Sequence, residues 1–164
     1  MPPSKPTLKQ ELLELVLRDL DTLVRAHRAT HEGATHEEAK PENDKDTRAL
    51  EQSYLARGQA ARIEQLRAGL KAISTLTTRV FDMDDPIALG ALATLCDADA
   101  QAPSGTWVVL VSPHGGGHQL DEGRVRVVTP ISPLGRALLG KRVGEQLEVT
   151  TRGRERQIEI IGVA

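Results

Sequence analysis

A chain of 164 residues has room for one compact domain, or for a small domain carrying an extended appendage. Its 21 Lys and Arg against 23 Asp and Glu give a formal charge of −2, which removes the electrostatic basis for autonomous nucleic-acid binding. One Trp, one Tyr and one Phe are too few to line a pocket for a large apolar ligand, and a single cysteine, Cys96, forms no internal disulfide. The opening Met1-Pro2-Pro3-Ser4-Lys5-Pro6 has no apolar signal core, and nowhere do about 18 apolar residues run together. The expectation is a soluble, cytoplasmic protein with no membrane association.

Residues 8–33 are free of proline, and Leu13, Val16, Leu20 and Leu23 recur at spacings of three and four, with His27 at the next seam position. This pattern predicts a helix packing along another helix. A second proline-free stretch, residues 47–78, is rich in Ala, Leu, Glu, Gln and Arg, and its seam runs through Ile63, Leu66, Leu70 and Ile73. Between the two, Lys40-Pro41-Glu42-Asn43-Asp44-Lys45-Asp46 breaks helix and is short, which favours an antiparallel pair. The arms should be roughly 40 to 48 Å long at 1.5 Å per residue. Two helices alone bury little area, so the base of the hairpin is expected to lean on the remainder of the chain.

Asp82-Met83-Asp84-Asp85-Pro86 is the candidate linker, dividing a helical hairpin over residues 1–81 from a domain over residues 87–164. Past the linker, strand-like runs at residues 87–95, 107–111, 124–129, 147–151 and 157–163 are separated by Gly and Pro. Alternating Val, Ile and Leu predict a mostly antiparallel sheet covered on one face by a short helix. That helix is written out in Ser132-Pro133-Leu134-Gly135-Arg136-Ala137-Leu138-Leu139-Gly140-Lys141-Arg142-Val143-Gly144. Ser132 suits the N-cap and Pro133 the first helical position, where no backbone N–H is needed. Leu134, Ala137, Leu138 and Leu139 form an apolar face, and Gly140 can adopt the left-handed conformation that ends the helix. Lys141 and Arg142 then fall at the negative end of its dipole.

Glu37, Glu38, Glu42, Asp44 and Asp46 lie within ten residues at the turn of the hairpin. Such carboxylates are hard-oxygen ligands suited to Mg²⁺ rather than zinc. Offered to a partner that already holds a metal and a phosphate, one or two of them could steady a second metal for phosphodiester hydrolysis. A charged loop with Asp44 or Asp46 capping the second helix is the alternative. His27 and His31 stand four apart and could meet at one zinc ion. His31 and His36 are five apart, which turns the second imidazole about 100° further round a helix than a spacing of four would, and solvated or seam histidines are the alternative to zinc. Ser112-Pro113-His114-Gly115-Gly116-Gly117-His118 lacks the Lys-Ser/Thr ending of a phosphate loop and reads as a hairpin connection between the strands at 107–111 and 124–129. Arg124, Arg126, Arg136, Lys141, Arg142, Arg152, Arg154 and Arg156 concentrate positive charge in the C-terminal third, interspersed with Glu122, Glu145, Glu148 and Glu155. Arg136, Lys141 and Arg142, on the short helix and its exit, are the candidates for a docking face.

The strand–capped helix–strand unit around residues 132–144 resembles the hallmark of the C-terminal domain of the bacterial GreA/GreB transcript-cleavage factors. That resemblance implies an α+β protein: an N-terminal antiparallel coiled-coil hairpin plus a C-terminal FKBP-like antiparallel β domain with one short helix. It implies a monomeric transcription elongation factor whose C-terminal domain docks on RNA polymerase at the rim of the secondary channel, where Arg136, Lys141 and Arg142 are the candidate contacts. The hairpin would enter that channel, and acidic tip residues (Glu42, Asp44, Asp46, Glu38) would help the polymerase cleave backtracked RNA. Such a chain has no catalytic residues, metal or cofactor of its own. Mg²⁺ would belong to the polymerase site, reached by Glu42 and Asp44, and RNA and DNA would be met only through the polymerase. The family tip carries two acidic residues three apart followed by Asn; Glu42-Asn43 matches the second, whereas Ala39 stands at the first. Ala39 keeps open a secondary-channel regulator or inhibitor without cleavage activity. A prolyl isomerase built on an FKBP-like domain would need an aromatic cage, and beyond Pro86 the chain has only Trp107.

Overall fold

The computed structural model describes residues 4–35, 47–98, 105–151 and 154–164. Two long helices come first, α1 (Lys5–Thr35) and α2 (Thr47–Ser74). α1 starts ahead of the apolar seam because Ser4 caps it: its Oγ accepts from the Thr7 N–H at 3.3 Å, and Pro6 sits in the first turn, where proline is tolerated. At 31 and 28 residues the helices are about 46 and 42 Å long. They run antiparallel. Lys9 Nζ donates to the Ser74 and Leu76 carbonyls, and His27 meets Gln59 across the pair.

The chain divides into two compact units, Met1–Leu13 with Lys71–Ala164, and Glu14–Leu70. In the second, Ile63 and Leu66 are buried and Leu20, Leu23 and His27 half-buried, as the three-and-four spacing requires. In the first, the start of α1 and the end of α2 join the sheet. Leu8, Leu12 and Ile73 are fully buried, and the Glu11 carboxylate accepts the Asp121 N–H at 3.0 and 3.2 Å.

The sheet has six strands, β1 (Leu92–Asp97), β2 (Thr106–Val111), β3 (Gln119–Leu120), β4 (Val125–Val128), β5 (Gln146–Thr151) and β6 (Arg154–Val163), in the order β3-β4-β2-β1-β6-β5. All neighbours pair antiparallel except β2 and β4, which run parallel with Leu110 opposite Val127. The expected hairpin between these two is therefore corrected. The Gly-rich segment leads from β2 into β3, and β3 turns through Asp121 and Glu122, both with φ above 50°, into β4. The strand expected from residue 87 begins only at Leu92. Gly90 takes φ +88°, and a Cβ there would fall 2.4 Å from the Thr77 carbonyl oxygen, so the preceding stretch must turn.

Alternation builds the core. Ala93 and Leu95 of β1, Val109 and Val111 of β2, Leu147 and Val149 of β5, and Ile158 and Ile160 of β6 share one face with Phe81 and Ile87. The short helix α3 (Pro133–Leu138) covers that face through Leu138, with Leu134 and Ala137 beside it, while Leu139 stays partly exposed.

Candidate functional site

α3 is held in place from both ends. Ser132 has extended backbone, and its Oγ accepts the Gly135 N–H at 3.1 Å while donating to the Thr129 carbonyl at 2.8 Å. That ties the cap to the end of β4. Gly135 is the contact residue: a Cβ there would lie 2.1 Å from the Thr129 oxygen, so only glycine lets the helix approach the strand this closely. At the other end Gly140 takes φ +81° and its N–H donates to the Ile87 carbonyl at 2.8 Å; the Ile87 N–H returns a bond to the Lys141 carbonyl at 2.7 Å.

The three basic docking candidates differ in surroundings. Arg136 is exposed on α3. Lys141 pairs with Glu145 at 3.0 Å, and Glu145 also accepts the Arg142 N–H at 2.6 Å. These two bonds, the Lys141 one first, hold the Glu145 carboxyl below the ordinary range. Arg142 thus spends its backbone donor on Glu145 and leaves its guanidinium exposed, close enough for its charge to act on Asp85. Arg136 and Arg142 are the exposed cations of this face.

Beside α3 opens a cleft of about 580 Å³ that the sequence did not announce. Its apolar lining comes from Val127, Leu134, Val149 and Ile158, with Trp107 on one wall and Arg126 and Arg156 at the edges. Ile131 stands at its lip with 83% of its surface exposed. The Arg156 guanidinium lies 5.4 Å from the Trp107 ring centroid and pairs with Asp97. Trp107 Nε1 is buried and has no hydrogen-bond partner among the described residues. Residues 107, 127, 149 and 158 come from four strands, and strand adjacency is not written in local periodicity.

The acidic residues at the hairpin turn, Glu37, Glu38, Glu42, Asp44 and Asp46, together with Ala39, lie outside the described residues. Among the described residues no group of three His, Cys, Asp or Glu side chains converges as a metal site, and His27 faces Gln59 across the helix pair. Likewise no helix among them is long and apolar enough to cross a membrane.

Residues 109–164, which hold the end of β2, β3 through β6 and α3, match the family described as "Transcription elongation factor, GreA/GreB, C-term". A protein described as transcription elongation factor GreA from Methylobacterium sp. (strain 4-46) is 31% identical over 124 residues, covering 74% of this chain and 70% of that one. Another from Beijerinckia indica is 30% identical over 153 residues, covering 92% and 88%. Among solved structures, GreA factor homolog 1 (Gfh1) of Thermus thermophilus aligns over 96% of this chain and 95% of its own at 23% identity, with a TM-score of 0.41. The relatives span both the helical and the sheet regions, and the matched C-terminal segment contains the capped helix and its two flanking strands. The chain belongs to the GreA/GreB family of transcription elongation factors.

Proposed function

We propose that this chain binds RNA polymerase at the secondary channel and stimulates cleavage of backtracked nascent RNA, using the polymerase's own metal and water. The observation that carries the reading is the union, in one family member, of the GreA/GreB C-terminal segment and an antiparallel helix pair about 42 to 46 Å long. The connection between the helices holds Glu38, Glu42, Asp44 and Asp46. A carboxylate pair drawn from these, with Glu42 and Asp44 foremost, would add hard-oxygen ligands to a second Mg²⁺ beside the one the polymerase holds. The protein supplies ligands and positioning rather than a nucleophile, needs no cofactor of its own, and acts as a cytoplasmic monomer. Docking falls to Arg136 and Arg142, with Lys141 beside them, and to the cleft lip at Ile131. An exposed apolar side chain flanked by cations suits an acidic, partly apolar partner surface.

The test is RNA length. Stalled, backtracked polymerase carrying end-labelled RNA is incubated with the protein and Mg²⁺. Shortening from the 3′ end, abolished by replacing Glu42, Asp44 and Asp46 with Ala while binding persists, is the expected result. A triple variant that still cleaves would defeat the tip assignment. Ala39, at the position of the first family acid, favours one second reading, a channel-binding regulator without cleavage. That reading predicts competition with a known secondary-channel binder and no RNA shortening.

A further inference from the structure

The face of the sheet that α3 covers is wider than α3 is long. Six strands about 4.8 Å apart span about 24 Å, whereas the six residues of the helix run about 9 Å. Strand register shows what stands on the uncovered part. Arg126 of β4 lies opposite the core residue Val109 of β2, so it shares the core face with Val109 and, two residues back along β2, with Trp107. Val149 of β5 lies opposite Arg156 of β6, and Arg156 is two residues from the core residue Ile158, so these three also alternate onto that face. The cleft of about 580 Å³ is therefore an unfilled end of the hydrophobic core with two guanidinium groups at its edges.

Its charge is one-sided. The described lining residues include two arginines and no carboxylate. Arg156 is paired with Asp97 and lies over the Trp107 ring. Arg126 is exposed and has neither an ion pair nor a hydrogen-bond partner among the described residues. We propose that this cleft binds an aliphatic carboxylate, a medium-length unbranched acid. Arg126 holds the carboxylate through the two parallel N–H donors that a guanidinium offers. The tail lies along Leu134, Val149 and Ile158 beside Trp107. Aliphatic walls with one aromatic ring suit a slim chain rather than a planar or macrocyclic ligand. The polar groups at hand disfavour a peptide in the same place. Ser132 Oγ is spent on the Thr129 carbonyl and the Gly135 N–H, so it is not free to satisfy a peptide's buried amides. An aliphatic acid brings a single polar group, and Arg126 is its counterion.

Trp107 is the chain's only tryptophan and forms a wall of the cleft, so its emission reports occupancy. The full chain is titrated with sodium hexanoate, octanoate and decanoate, each below its micelle concentration, and with 1-decanol as the uncharged analogue. A saturable change in emission is expected, with affinity rising about five- to tenfold for each two carbons added. Arg126→Gln, at an exposed position that leaves the fold intact by circular dichroism, should weaken decanoate about tenfold and leave decanol unchanged. Arg124→Gln removes a guanidinium that is paired with Asp121 and Glu122 outside the cleft, and decanoate affinity should not change. Emission that never saturates, or affinity independent of chain length, would overturn the site. Decanol binding as tightly as decanoate, or equal weakening by the two arginine variants, would overturn the role of Arg126. None of these readouts depends on the chain acting on polymerase.

Discussion

Gly135→Ala is the sharpest test of how the short helix is held. An added Cβ would sit 2.1 Å from the Thr129 carbonyl oxygen, 2.7 Å from its carbon and 2.9 Å from Ser132 Oγ. The first two are backbone atoms at the end of a paired strand, so the helix must move rather than the strand. Overpacking of this kind costs about 1–3 kcal/mol, here toward the upper end because no side chain can rotate away. Displacing the helix start also weakens the Ser132 cap, worth about 1 kcal/mol. Alanine returns up to about 1 kcal/mol of helix propensity. The net expectation is a loss of about 2–3 kcal/mol, or roughly 1–2 M in urea midpoint for a slope of ~1.5–2 kcal/mol/M. The chain's single Trp, Trp107, lies on β2 in the same unit, so its fluorescence follows that unit specifically. A midpoint within ~0.3 M of the wild type would refute the close-approach argument.

Gly58→Ala should have the opposite sign. A Cβ at this mid-helix position of α2 meets nothing within 4 Å, and propensity alone should add about 1 kcal/mol, read as a raised melting temperature by circular dichroism. Acid stability should depend on Glu145 and Asp85. Glu145 is held below the ordinary range by Lys141 and the Arg142 N–H, Asp85 by the Asp82 N–H and then Arg79. Both are depressed in the folded state, so their contribution is complete above the ordinary carboxylate value of ~4 and is lost as pH falls through the folded values. The Glu145→Gln/Asp85→Asn double variant should therefore show a flatter melting temperature between about pH 5 and 2; an unchanged slope refutes the linkage. Replacing Arg136 and Arg142 with Ala should weaken polymerase binding a few-fold at low salt, at about 0.2–1 kcal/mol per exposed charge. The difference should fade as salt rises, and equal affinity at low salt would remove these residues from the proposed docking face.

The parts of the fold governed by local chemistry were legible in the residues. Seam spacing at Val16, Leu20 and Leu23 placed α1, and Ser132, Pro133 and Gly140 placed α3 with its φ of +81°. Misreadings arose where distant residues decide. β3 is only Gln119 and Leu120, too short to show a period, and without it the Gly-rich segment looks like a simple hairpin. The parallel pairing of β2 with β4 depends on that detour. Ile87, Ala88 and Leu89 are as apolar as a strand, but the Thr77 carbonyl against Gly90 turns them away from one. Gly135 passed as an ordinary member of a motif because its reason, the Thr129 oxygen, lies on another element. The cleft was invisible for the same cause, being assembled from four strands. The acidic turn is legible only as composition, and its residues lie outside those described.

The position of β6 bears on how the molecule is made. It is the last strand in the chain, yet it lies between β1 and β5 and pairs with both. During synthesis the β3-β4-β2-β1 half has an open edge at β1, and β5 has no neighbour, until β6 leaves the ribosome. α1 and α2 are complete long before, so Leu8, Leu12 and Ile73, buried in the finished unit, must wait without their cover. Until β6 is made, the nascent chain therefore carries an apolar helix base and an unpaired strand edge, the two features that chaperones recognise and that seed aggregation. Loss of β6 would cut the sheet through its interior rather than trim its rim.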